Sequence, residues 1–279
     1  MSRREPPDIG RAVVEALSSD CSGEVIAVFS RASYVEVGDR VFAIVSTAEF
    51  SGPLHARVPE PPTLRVGTRA SVTGGRLLLG DQAFELPSER WNPAPFSAAV
   101  SVPVMLDRVL VHEPALDLGS RPRADLGSAL GSSLGEALRR GGLAAACEGL
   151  FGRGSGLTPA GDDVAAGLMI AESLTGLGDE GTRLGIAATA PTHLISRAFL
   201  ASAARGQSLE PLHRLLAACA ADDLAAARRA RADLAAVGHT SGLDLAYGAL
   251  VGLRWAAEAT SEVRPARRIT SRALAQTTA

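Results

Sequence analysis

The chain has 279 residues, of which 46% are hydrophobic, 21% charged and 4% aromatic, with a formal net charge of −2. That balance is ordinary for a globular protein long enough for one large domain or two ordinary ones, and it lacks the basic excess of a nucleic-acid binder. The apolar runs are too short or too interrupted to span a bilayer, and the start, Met-Ser-Arg-Arg-Glu-Pro-Pro, is not followed by a signal-peptide core; a cytoplasmic location is expected.

Taken in chain order, residues 10–18 read as a short helix. Short β-type runs follow at 24–29, 34–37, 41–46, 69–72 and 76–79. Val37-Gly38-Asp39-Arg40 and Thr73-Gly74-Gly75-Arg76 read as hairpin turns, because glycine supplies the positive φ that tight turns need. Residues 100–110 read as one more strand, with Pro103 suited to an edge or a bulge. Near residue 120 the chain becomes rich in Ala and Leu. Helices are expected at 126–140 and 143–150, broken by Gly141-Gly142, and then at 158–174, 181–190, 192–205, 211–220, 222–237 and 240–259. Apolar positions recur there at three- and four-residue spacing, as a bundle requires. The fold class is therefore α+β: a β-rich barrel- or sandwich-like domain over 1–120, an all-α helical bundle over 121–263, and a frayed polar tail over 264–279. The boundary falls within 118–126.

All 28 basic residues are arginine. This excludes a Schiff-base lysine, a pyridoxal-phosphate anchor and a phosphate-loop lysine. An anion in a site must be met by Arg, backbone N–H groups or a metal. Cys21, Cys147 and Cys219 lie far apart, without metal or disulfide spacing, and read as small apolar residues. No His-Glu-x-x-His pattern occurs, so no zinc is expected.

Three segments carry candidate chemistry. The first is Phe151-Gly152-Arg153-Gly154-Ser155-Gly156-Leu157-Thr158-Pro159-Ala160-Gly161-Asp162-Asp163. Thr158 is placed to cap a helix with Pro159 at its first position, and two carboxylates follow in the first turn. Glycines beside a helix N-terminus form an anion site, and Asp162 and Asp163 can hold Mg²⁺ bridging to the anion. The bland alternative is a capped helix whose acids complement its dipole. The second is Gly238-His239-Thr240-Ser241-Gly242-Leu243-Asp244, also at a helix start, where Ser241 and Asp244 have capping-box-like spacing and His239, expected to be neutral beside the helix N-terminus, can accept a proton, donate one or ligate a metal. The third is Thr192-His193-Leu194-Ile195-Ser196-Arg197, with Thr192 as the expected N-cap. His55, His112 and His213 lack a supporting pattern, and His213 is expected at the surface.

Together these segments resemble the AllH-like family, which includes a subunit of oxamate carbamoyltransferase. The matching residues are Gly152, Gly154, Gly156, Leu157, Thr158, Pro159, Gly161, Asp162 and Asp163; Thr192, Ile195, Ser196, Ala204 and Gly206; and Gly238, His239, Thr240, Ser241, Gly242 and Asp244. The β-rich half fits only in character. The resemblance implies a part in allantoin breakdown, where oxalurate and phosphate become oxamate and carbamoyl phosphate with companion subunits.

On this reading Asp162, Asp163 and His239 are catalytic. Gly154, Ser155, Gly156, Leu157, Thr158, Ser196, Arg197, Thr240, Ser241 and Asp244 bind a small anionic substrate, with Asp162 and Asp163 as the site for any Mg²⁺. Two other readings stay open: an Mg²⁺-dependent nucleotide- or phosphoester-processing enzyme, and a non-catalytic module that binds a small acid.

Overall fold

In the computed structural model, which describes residues 6–93, 102–118 and 130–270, helix α1 (Arg11–Ala16) leads into a β-rich half. Its strands are β1 (Cys21–Val28), β2 (Ala32–Val37), β3 (Arg40–Ser46), β4 (His55–Val58), β5 (Arg69–Thr73), β6 (Arg76–Leu79) and β7 (Gln82–Phe84). They form one sheet in the order β4-β3-β2-β1-β5-β6-β7, curled into a half-barrel. Neighbours are antiparallel except β3 and β4, which are parallel. Parallel strands need a crossover rather than a tight hairpin. Here it is the 47–54 connection, which carries Glu49, Phe50 and Ser51. A register shift in β1 between Val25 and Ala27 sits against Tyr34 and Val35 of β2. Such a bulge raises local twist and re-aims the side chains beside it.

The helices are α2 (Val102–Leu116), α3 (Leu130–Glu148), α4 (Ala160–Thr175), α5 (Glu180–Ala188), α6 (Leu194–Ala204), α7 (Glu210–Ala220), α8 (Leu224–Ala235) and α9 (Ser241–Thr270). Helix α4 is the centre of the bundle, buried along most of its length. It pairs with α9 at backbone contact: a Cβ on Gly248 would lie 2.1 Å from the Val164 carbonyl oxygen, so only glycine fits. Buried apolar side chains form two clusters, one drawn from residues 9–79 and one from 105–256. The two halves meet through direct bonds. The Glu210 amide donates to the Ser51 carbonyl at 2.9 Å, and Arg31 Nη1 donates to the Ala236 carbonyl at 3.3 Å.

The five expected strands are present, with ends moved by up to three residues, and Gly141 and Gly142 do leave helical geometry. Strands β4 and β7, at four and three residues, are too short to announce themselves. Residues 100–110 require correction. From Val102 the chain is helical, with Met105, Leu106, Val109 and Leu116 buried on one face. Pro103 stands in the first turn, where its missing N–H costs nothing. The β-branched run outweighed that spacing in the sequence reading.

Two caps also differ. Pro159, not Thr158, is the N-cap of α4, and His193, not Thr192, caps α6 by accepting the Ile195 N–H at Nδ1. Helix α9 continues to Thr270, past the point where fraying was expected. Residues 271–279, the 126–129 start of a helix and most of the 118–126 boundary lie outside the described residues. No described helix is long and apolar enough to cross a membrane.

Candidate functional site

A cavity of about 780 Å³ opens between the half-barrel and the helices. The helical wall contains Ser155, Gly156, Leu157, Thr158, Asp163, His239, Thr240 and Ser241, so two of the three segments converge on it. Among the described residues, the amides of Ser155, Gly156 and Leu157 make no hydrogen bond, and they border the cavity as available donors. Thr158 and Ser241 join the two segments, their hydroxyl oxygens 3.3 Å apart.

The third segment acts from behind. Asp162 is 2% exposed and does not line the cavity. Its Oδ1 accepts the Gly152 N–H at 2.8 Å, while Oδ2 accepts the Ser196 hydroxyl at 2.6 Å and the Thr192 hydroxyl. The carboxylate thus ties the glycine loop to the start of α6. Thr192 and Ser196 serve this clamp rather than the cavity.

Gly154, exposed and at φ +110°, lies outside the cavity lining and approaches the start of α4, where a Cβ would come within 2.8 Å of the Ala160 nitrogen. Arg197 is exposed and lies outside the cavity lining. Asp244 is buried and accepts the Thr240 hydroxyl at 2.8 Å, so its side-chain partner at the start of α9 is Thr240.

Adjacent aspartates therefore have separate tasks. Asp163 borders the cavity, and Asp162 organises the loop. A magnesium ion shared by both would have to draw Asp162 out of three hydrogen bonds. Among the described residues no group of three or more His, Cys, Asp or Glu side chains is placed to hold an ion.

The opposite wall comes from the half-barrel, and sequence reading missed it. Tyr34 stands on β2 beside the β1 bulge. Burial, with the Asp163 charge across the cavity, pushes its hydroxyl up to about 12. Tyr34 therefore remains a neutral O–H donor at physiological pH. His55 opens β4. Its Nδ1 is 2.8 Å from the Phe50 carbonyl, which can only accept, so Nδ1 carries the proton. Burial lowers its pKa, leaving a neutral ring whose Nε2 is an acceptor. Arg31 holds Glu49 through two bonds, Nε to Oε1 at 2.7 Å and Nη2 to Oε2 at 2.5 Å, and both residues border the cavity.

The connection that carries Glu49 and Phe50 and leads into His55 is anchored by a buried network. Asp8 Oδ2 accepts from Arg57 Nη1 at 2.7 Å and from the Ser51 hydroxyl at 2.6 Å. No local pattern marks Tyr34 or His55, since each is one ordinary residue in a β-run. The nearest signal was Ser-Gly-Pro-Leu-His at the end of the connection. His213, expected at the surface, is instead partly buried; its Nε2 accepts the Ser208 N–H at 3.0 Å and burial lowers its pKa to about 4. Burial also pushes the Cys219 thiol up to about 11 and raises that of Cys147, so neither offers a thiolate nucleophile.

No curated protein and no solved structure matches the chain. Residues 150–253 match the family model described as oxamate carbamoyltransferase subunit AllH, and this matched stretch contains all three motifs on which the resemblance was read.

Proposed function

We propose that the chain is a subunit of a carbamoyltransferase-type complex and that the cavity holds the small acid from which, or to which, the carbamoyl group moves. The observation that carries this reading is the convergence of Ser155, Gly156, Leu157 and Asp163 with His239 on one cavity inside the matched segment. In the forward direction a phosphate oxygen bonds to the carbamoyl carbon and the carbon–nitrogen bond to the acid breaks. The freed nitrogen takes the proton that the phosphate gives up.

The available amides suit the acid's carboxylate, in the manner of helix-start anion sites. Asp163 accepts from the acid's N–H. The Tyr34 O–H is a fixed donor for the oxygen that becomes negative as the carbonyl is attacked. His239, exposed at the mouth, is assigned the proton transfer.

Charge supports a division of labour between subunits. Arg31 is the single Arg or Lys among the residues lining the cavity, and its guanidinium fork is engaged by Glu49. A phosphate dianion calls for more positive charge than that. The phosphate end of the reaction therefore belongs to surfaces that companion chains supply, while this chain holds the carboxylate end. The same scarcity of cations speaks against a nucleoside triphosphate.

The test is calorimetry on the full chain alone, followed by an assay for carbamoyl phosphate formed from oxalurate and phosphate with companion subunits added. Expected are oxamate binding by the isolated chain, little binding of carbamoyl phosphate, and turnover only in the complex. Tight binding of carbamoyl phosphate by the chain alone, or turnover unchanged in both His239→Ala and Asp163→Ala, would overturn the assignment.

A further inference from the structure

The cavity is larger and more aromatic than bare oxamate asks for. Oxamate and phosphate together are much smaller than the drug-sized ligands that cavities of roughly 300–1,000 Å³ enclose, and this one measures about 780 Å³. Aromatic residues make up only 4% of the chain, and the cores are built chiefly from Ala, Leu and Val. Yet Phe29, Phe50 and Phe199, three of its seven phenylalanines, line this cavity, together with Tyr34, one of its two tyrosines. They come from four separate places: the turn after β1, strand β2, the β3–β4 connection, and α6. Phe29 is 51% exposed, its ring set edge-on to that of Tyr34 with centroids 6.1 Å apart. A half-exposed Phe beside an open cavity is apolar surface left for an occupant to cover. The unbonded loop amides and Asp163 stand on the helical wall, while Arg31, Glu49 and His55 stand on the half-barrel wall, with Arg31 and Glu49 paired to each other.

Resting on the function proposed above, the geometry points to a ligand with two unlike ends: a singly charged carboxylic acid of the oxamate type whose nitrogen or chain carries an aliphatic or aromatic group seated among Phe29, Phe50 and Phe199. The carboxylate meets the amides of Ser155, Gly156 and Leu157. The apolar group fills the volume that oxamate leaves empty. Selection among acids is then made by the length and shape of the apolar part, because the amides read only the charge.

The test is calorimetric titration of the full chain with oxamate, N-methyloxamate, N-propyloxamate and N-phenyloxamate. Each added methylene should tighten binding about fourfold, and N-phenyloxamate should bind at least about thirtyfold better than oxamate. Phe199→Ala should reduce the phenyl advantage about tenfold while leaving oxamate unchanged. Phe29→Ser, at the rim and safe for folding, should do the same to a smaller degree.

Oxamate bound with an affinity that does not rise along the series would overturn this inference and leave the proposed function standing. Tailed acids bound without oxamate binding would uphold the two-ended ligand and remove oxamate itself. Silence with all four acids would remove both.

Discussion

The two walls of the cavity are made in different ways. The helical wall offers main-chain amides, held in place by a carboxylate that never reaches the ligand: Asp162 fastens Gly152, Thr192 and Ser196. The half-barrel wall offers side chains: Arg31 from the β1–β2 turn, Tyr34 from β2 beside the β1 bulge, and His55 from β4, at the end of a crossover anchored by the buried Asp8–Arg57 pair. A main-chain site needs a conformation, and a conformation leaves a local trace of glycines and turn residues. A side-chain site needs only that distant residues meet, which leaves no local trace at all.

That contrast can be broken by mutation. The largest expected effect is Asp162→Ala. It removes the acceptor of the Gly152 amide, the half-buried Thr192 hydroxyl and the buried Ser196 hydroxyl, and it should lower stability by about 3 kcal/mol in urea unfolding. A loss under about 1 kcal/mol would show that the glycine loop holds itself.

Next comes acid sensitivity. The pKa of His213 in the folded chain is lowered to about 4 from an ordinary 6.5. The unfolded chain therefore gains a proton first. The contribution is fully present above about pH 6.5 and is lost as the pH falls toward 4, by about 3 kcal/mol in all. His55 acts in the same direction. His213→Gln, whose side-chain oxygen can still accept the Ser208 N–H, should flatten the slope of stability between pH 6.5 and 4; an unchanged slope would place the acid sensitivity elsewhere.

Asp163→Asn should leave the unfolding midpoint in place and lower turnover of the reconstituted complex about a hundredfold. The opposite pattern would make Asp163 a second Asp162. The smallest effect is expected of Arg31→Ala. The Arg31 side chain is 54% exposed, and its pair with Glu49 should be worth at most about 1 kcal/mol. Oxamate affinity should stay within about threefold if the amides carry the carboxylate.

What could be read from the sequence follows the same division. The loop before α4 and the segment before α9 were visible, because helix starts concentrate glycine, hydroxyl and acidic residues within a few positions. Their roles were less visible. Asp162 and Asp163 are identical neighbours in sequence, and only the direction of each side chain from the first turn of α4 separates the clamp from the cavity residue. The caps shifted for a similar reason. Thr158 and Thr192 are good capping residues by type, but one is drawn to Ser241 and the other to Asp162, both distant in sequence. Residues 102–116 were misread because valines at 102, 104, 109 and 111 favour a strand by type, while the buried spacing of Met105, Leu106 and Val109 is helical.

The central claim is that a small acid is held by the amides of Ser155, Gly156 and Leu157 within the cavity shared by both halves. A crystal structure of the chain soaked with oxamate tests it most directly. The carboxylate is expected within hydrogen-bonding distance of those amides, with the acid's N–H group turned toward Asp163. Oxamate bound outside the cavity, or a glycine loop folded over so that its amides bond to the protein itself, would contradict it.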